Sequence, residues 1–201
     1  MTGPAARFAA VRFEPDGRPV GTAVALPGRV PQYSALLLGF AAQALTQHGW
    51  AVDQLWWDPP DHGGDDDADY AWVRDRLDEA APAEGRVLVV GKSLGTLAAP
   101  LAAERAYDAI WLTPLLHERR IVDAVAANPG RQLLVGGTGD ASWDSGVARE
   151  LEAGGCRVLE IPDADHSLLV PGDIVRGAGI HVEIVRAIDS FLGGVGATQH
   201  R

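Results

Sequence analysis

The chain is almost without lysine. Of its 17 basic residues 16 are arginine and one, Lys92, is lysine, against 27 acidic residues and a formal net charge of −10. That balance opposes nonspecific attraction to nucleic acid or to an anionic membrane, so neither is expected as a partner. A single cysteine, Cys156, excludes an internal disulfide, and its place in a strand pattern predicts burial. No apolar run is long enough to span a bilayer, and the first residues, Met1 to Phe8, lack a charged start followed by a long apolar stretch. A cytoplasmic protein is the expectation. Internal repeats and linkers are also missing, so residues 1–201 are read as one domain, with a fraying tail after Leu192 that is flexible over 194–201.

What is present is an alternation of strand-like and helix-like segments, which predicts a mostly parallel sheet covered on both faces. Phe8–Phe13 and Val20–Leu26 read as strands joined by the turn Glu14-Pro15-Asp16-Gly17, of the kind that closes a hairpin. Helical spacing follows over Gln32–His48, then a strand over Trp50–Trp57 and a loop through Gly64. The acidic run Asp65-Asp66-Asp67 suits the N-terminus of a helix over Tyr70–Ala81, where carboxylates complement the dipole; without partnering ligands it makes a poor metal site, and no metal is expected. Beyond Val87–Val90 come a helix from Leu97 to Ala106, a strand over Ala109–Leu112 and a helix over Glu118–Ala127. The remaining elements are strands over Arg131–Val135 and Cys156–Ile161, and helices over Ser142–Ala153 and Ile180–Leu192. No segment between strands exceeds a loop and a helix, which leaves no room for a lid.

The most informative stretch is Gly91-Lys92-Ser93-Leu94-Gly95, lying between the apolar run Val87–Val90 and a helix. A serine at a sharp strand-to-helix turn takes strained backbone angles, and glycines two positions either side keep side chains out of the bend. The hydroxyl is then held out at the sheet edge, with the N–H of Leu94 and a helix N-terminus beside it. Such a nucleophile needs a base and an orienting acid. The strand Arg131–Val135 runs into Gly136-Gly137-Thr138-Gly139-Asp140, which sets Asp140 at a strand's C-terminal end, and the last strand feeds Asp163-Ala164-Asp165-His166, which sets His166 in the loop leaving the sheet. Asp144, four residues beyond Asp140, is the competing acid; Asp163 and Asp165 are too close along the chain to orient the His166 ring. Among the other histidines, His48 fits a helix C-cap, while His62, His181 and His200 read as surface. His117 follows another strand end and is the one alternative with a claim on substrate.

With these motifs the chain resembles a small α/β-hydrolase, nearest to lidless serine hydrolases like dienelactone hydrolase, over about Val20 to Leu192. The resemblance implies a three-layer α/β-hydrolase fold with no cap domain, Ser93 as nucleophile, Asp140 as acid, His166 as base and the Leu94 N–H as one oxyanion donor. The second donor normally comes from a loop after an early strand, often beginning His-Gly; here that loop reads Pro27-Gly28-Arg29, with proline for histidine, Gly28 for the tight turn and Arg29 offering its N–H. The implied activity is cofactor-independent cleavage of a small carboxylic ester or thioester through an acyl-enzyme, with peptidase or amidase activity and a catalytically inert binding module as the alternatives. Two features are left open. The sole lysine, Lys92, either faces the site as an ammonium attracting a substrate carboxylate or packs its stem on a neighbour with its charge paired to an acidic helix residue. Trp56, Trp57 and Trp143 lie near loops and belong either to the pocket or to the core.

Overall fold

The computed structural model describes residues 8–196. Seven strands form one sheet: β1 (Phe8–Phe13), β2 (Gly21–Leu26), β3 (Trp50–Trp57), β4 (Val87–Lys92), β5 (Asp108–Leu112), β6 (Gln132–Gly137) and β7 (Arg157–Ile161), in the order β1-β3-β2-β4-β5-β6-β7. All neighbours are parallel except β1 with β3. The expected hairpin between the first two strands is therefore absent. β1 pairs antiparallel with β3 and is not bonded to β2, because the apolar β2 is taken into the interior of the sheet between β3 and β4. β4 is buried along its whole length, which accounts for its unbroken apolar run: a central parallel strand is covered on both faces and has no solvent side to alternate with.

The helices are α1 (Pro31–Gln47), α2 (Asp66–Ala80), α3 (Ala99–Glu104), α4 (Arg119–Ala127), α5 (Ser145–Ala153) and α6 (Ile174–Gly196). Helices α1 and α6 pack against one face through Leu38, Leu45, Ile180, Ile184 and Phe191, while α2 to α5 cover the other through Val73, Leu101, Ile121 and Leu151. This three-layer arrangement has no further layer over the sheet edge among the described residues.

Several helix ends differ from the periodicity, each for a local reason. α1 opens with Pro31 in its first turn, where a missing N–H costs nothing. α2 starts earlier, at Asp66, because Asp65 accepts the Ala68 N–H and caps it, with Asp66, Asp67 and Asp69 in the first turn. α5 starts later, at Ser145, and α6 earlier, at Ile174. α6 continues through Gly196, so residues 193–196 are helical rather than frayed, and the rest of the expected tail lies outside the described residues. Cys156 precedes β7 and is half-buried rather than buried. No helix among the described residues is long and apolar enough to cross a membrane.

Candidate active site

β4 occupies the point where the strand order reverses, with β2 and β3 to one side and β5 to β7 to the other. A crevice opens outside the carboxyl ends of the strands at such a point. Ser93 follows β4 directly, at φ 52°, in the left-handed region that a residue with a Cβ adopts only when its surroundings force it. The chain then enters a 3-10 helix over Ser93–Ala98 before α3, a tighter start than the regular helix the spacing predicts. The flanking glycines are required by space. A Cβ on Gly91 would stand 2.7 Å from the Gly95 carbonyl oxygen and 2.8 Å from the Trp111 ring, and one on Gly95 would stand 2.4 Å from the Leu26 carbonyl oxygen. The Thr96 hydroxyl donates to the Ser93 carbonyl at 2.6 Å and ties the bend.

The loops after β6 and β7 bring two further groups to Ser93. His166 Nε2 lies 2.8 Å from Ser93 Oγ, and His166 Nδ1 lies 2.7 Å from Asp140 Oδ2. A carboxylate only accepts, so Nδ1 carries the proton toward Asp140, and in the neutral ring Nε2 is left to accept from the Ser93 hydroxyl. Asp140 is buried, and its other oxygen accepts the Ser142 N–H at 2.8 Å. Burial pushes its carboxyl up, but the bonds from His166 and Ser142 outweigh that and hold it below the usual carboxylate range. The loop carrying His166 is itself fixed: Asp165 Oδ1 accepts the N–H groups of Ser167 and Leu169, and Gly139 N–H donates to the Ala164 carbonyl, joining it to the Asp140 loop.

Asp144 has another task. Its carboxylate accepts from Gly146 N and Val147 N at 2.7 and 3.0 Å and caps α5. The other histidines are engaged elsewhere: His48 caps α1 and meets Asp189 at 2.8 Å, His62 meets Asp69 at 2.7 Å, His117 is exposed beside Glu118, and His181 Nδ1 donates to the Gly177 carbonyl within α6. His200 lies outside the described residues. Trp57 and Trp143 are buried with their indole N–H groups on the Gly28 carbonyl and on Glu160, so both serve the core.

The seven-stranded fold that carries this arrangement has counterparts among solved structures. Est1E from Butyrivibrio proteoclasticus, in a complex with ferulic acid, is similar with a TM-score of 0.69 at 14% identity, over 93% of this chain and 94% of that one. A serine hydrolase without a lid from Xanthomonas campestris matches with a TM-score of 0.58 at 16% identity, over 94% and 96%. The fold is that of a small, lidless α/β-hydrolase. A thioesterase domain from the curacin biosynthetic pathway shares it, with a TM-score of 0.60 at 11% identity over 92% and 97% of the two chains. No protein-family model and no curated protein sequence matches this chain.

Within this α/β-hydrolase scaffold the cleft at Ser93 is small, about 160 Å³, with Leu94, Leu97 and Leu115 as apolar wall and Arg29, Asp66, Asp69, Tyr70 and Glu118 as polar wall. The Gly28 N–H donates to Ser34 Oγ at 3.1 Å and is therefore already bonded. The Arg29 guanidinium is paired with Asp69, which also holds His62. Two of these neighbours escaped the sequence reading. Asp69 falls between the acidic run Asp65-Asp66-Asp67 and the expected helix start and carries no reading of its own, while Tyr70 reads only as the start of a helix pattern. The Tyr70 hydroxyl is buried with no hydrogen-bond partner, and burial together with the Glu118 charge pushes it up to about 12.

Lys92 does not line this cleft. Successive strand residues point to opposite faces, so the side chain before Ser93 turns toward α1 and α6, where it is 6% exposed and its ammonium donates to the His166 carbonyl at 3.1 Å. The side chain thus turns away from the Ser93 cleft and is packed, as the second expectation has it, but its partner is a main-chain carbonyl rather than an acidic helix residue. Burial pushes the ammonium down to about 8, with the Asp140 and Asp165 charges partly opposing it. An unfolded lysine keeps its proton to about 10.4. Between these values the unfolded chain binds more protons, so stability rises with pH there. The wild type is expected to gain about 2 kcal/mol relative to Lys92→Met between about pH 7 and pH 10, read as the difference in urea unfolding free energies. A pH-independent difference would mean that the ammonium is hydrated.

Proposed function

We propose that the protein is a serine hydrolase acting on small carboxylic esters or thioesters. One observation carries the proposal: an unbroken hydrogen-bonded chain from the buried carboxylate of Asp140 through the His166 ring to the hydroxyl of Ser93. In this reading His166 Nε2 takes the Ser93 proton as Oγ attacks the acyl carbon, and Asp140 stabilises the imidazolium that forms. The oxyanion meets the Leu94 N–H, an early 3-10 helix donor with no intrahelical acceptor, and the Arg29 N–H from the loop after β2. His166 then returns the proton to the leaving alcohol or thiol. Water attacks the acyl-enzyme with His166 again as base, which frees the acid and restores Ser93.

The size of the cleft supports a short acyl group, and the thioesterase and lidless serine hydrolase that share the fold support acyl transfer to water. An extended peptide would need a longer groove at Ser93 than this one. p-Nitrophenyl acetate should be hydrolysed with a kcat/KM at least about tenfold above that of the decanoate ester, since a ten-carbon acyl chain does not fit a cleft of this volume and enters only by displacing the ester from Ser93. Absence of turnover with short oxygen esters and thioesters alike, in folded protein, would contradict the reading.

Tyr70 supplies a second test. A buried hydroxyl without a partner is an unmade hydrogen bond, and in this cleft substrate can complete it. Tyr70→Phe is expected to raise stability by about 1 kcal/mol while lowering kcat/KM by about fivefold to fiftyfold. A stability gain with unchanged kinetics would remove Tyr70 from substrate binding.

A further inference from the structure

On the opposite side of the sheet end from the Ser93 cleft, α1, α6 and the loop after His166 enclose a groove of about 810 Å³. Its walls are apolar: Leu36 and Phe40 from α1, Leu169 from the loop, and Ile174, Val182 and Val185 from α6. The rim is unusually open to solvent, with Leu36 at 61% and Ile174 at 75% exposure. Contiguous apolar surface of this kind marks a site that something covers.

The charges in the groove indicate what kind of molecule that is. In a chain of net charge −10, the charged side chains lining it are Lys92 and Arg186, and no carboxylate lines it. Arg186 stands exposed at the rim, whereas Lys92 is nine-tenths buried at the floor. An ammonium has three donors, and Lys92 uses one, on the His166 carbonyl; no carboxylate oxygen among the described residues comes within 4.0 Å of it. A buried cation without an ion pair is costly, and covering it with an apolar helix of another chain would desolvate it further with no charge to balance it. An aliphatic chain ending in a carboxylate satisfies both parts of the groove at once.

We propose that the α1–α6 groove is a second binding site, for an amphipathic monocarboxylate of the fatty-acid type, whose chain lies on the apolar walls and whose carboxylate pairs with Lys92. The volume falls in the range of small-molecule sites. At about 8 the ammonium still holds its proton at neutral pH, so the charge the carboxylate needs is present. The same ammonium holds the main chain of His166, which joins the two sites through one side chain.

Calorimetric titration of Ser93→Ala protein at pH 7 tests this independently of hydrolysis, since the variant keeps the groove and cannot turn over an ester. Decanoate, below its micelle concentration, is expected to bind about tenfold to a hundredfold more tightly than decanol, the margin of a charge-assisted hydrogen bond, and acetate is expected to show no binding. Adding Lys92→Met should erase the preference for decanoate and leave decanol unchanged, while Val182→Asp, on the exposed α6 wall, should weaken both. The comparison of decanoate with decanol stands even if Lys92→Met fails to fold. Equal affinity for the two ligands, or no decanoate binding, overturns the proposal. So does a dimer that Val182→Asp dissociates and decanoate leaves intact, because a second copy would then be the occupant.

Discussion

Replacing Ser93 with alanine is expected to lower kcat/KM for p-nitrophenyl acetate by about 10⁴-fold to 10⁶-fold with the fold intact. The size follows from the geometry: Ser93 Oγ is the end of the hydrogen-bonded chain, and no other hydroxyl stands at 2.8 Å from His166 Nε2 among the described residues. The remaining activity would come from cleft binding and from the Leu94 and Arg29 N–H groups proposed as oxyanion donors, which the substitution leaves in place. Stability should change by less than about 1 kcal/mol, because alanine carries the same Cβ and accepts the φ of 52° no worse than serine does. Circular dichroism and urea unfolding read the fold, and initial rates read the loss. Activity within tenfold of wild type in a folded variant would move the nucleophile elsewhere.

The second large effect separates two aspartates. Asp140→Asn is expected to reduce kcat by about 10⁴-fold, because an amide no longer fixes the Nδ1 proton of His166 and the ring can present a donor rather than an acceptor to Ser93. Asp144→Ala is expected to cost about 1 kcal/mol of stability through the lost cap on α5 while leaving kcat within a factor of two. The two variants therefore exchange signatures, one kinetic and one thermodynamic. A kinetic loss at Asp144 with normal turnover in Asp140→Asn would reverse the assignment.

Much of this arrangement was legible along the chain. The run Val87–Val90 into Gly91 and Gly95 announced both the central strand and the bend, because a buried parallel strand and a crowded turn each leave a mark on adjacent residues. Asp140 and His166 were readable for the same reason: each lies in the loop that leaves a strand, and the carboxyl ends of strands in a parallel sheet share one edge. What the chain did not disclose depends on long-range placement. The turn after β1 has hairpin residues, yet β1 pairs with β3, since pairing is decided by which strands the sheet can bury. The direction of Lys92 follows from strand alternation only once β4 is known to run through residue 92. The Tyr70 hydroxyl and the Asp69 pairings arise where α2 crosses the cleft, a meeting that no local pattern encodes.

The most direct test is the reaction of intact protein with a fluorophosphonate, which phosphonylates a serine only where a base removes its proton and donors hold the oxyanion. Mass spectrometry is expected to find one adduct per chain, on the peptide containing Ser93, lost in Ser93→Ala and slowed by orders of magnitude in His166→Ala. Folded wild-type protein that remains unlabelled, or that is labelled on another residue, would contradict the account.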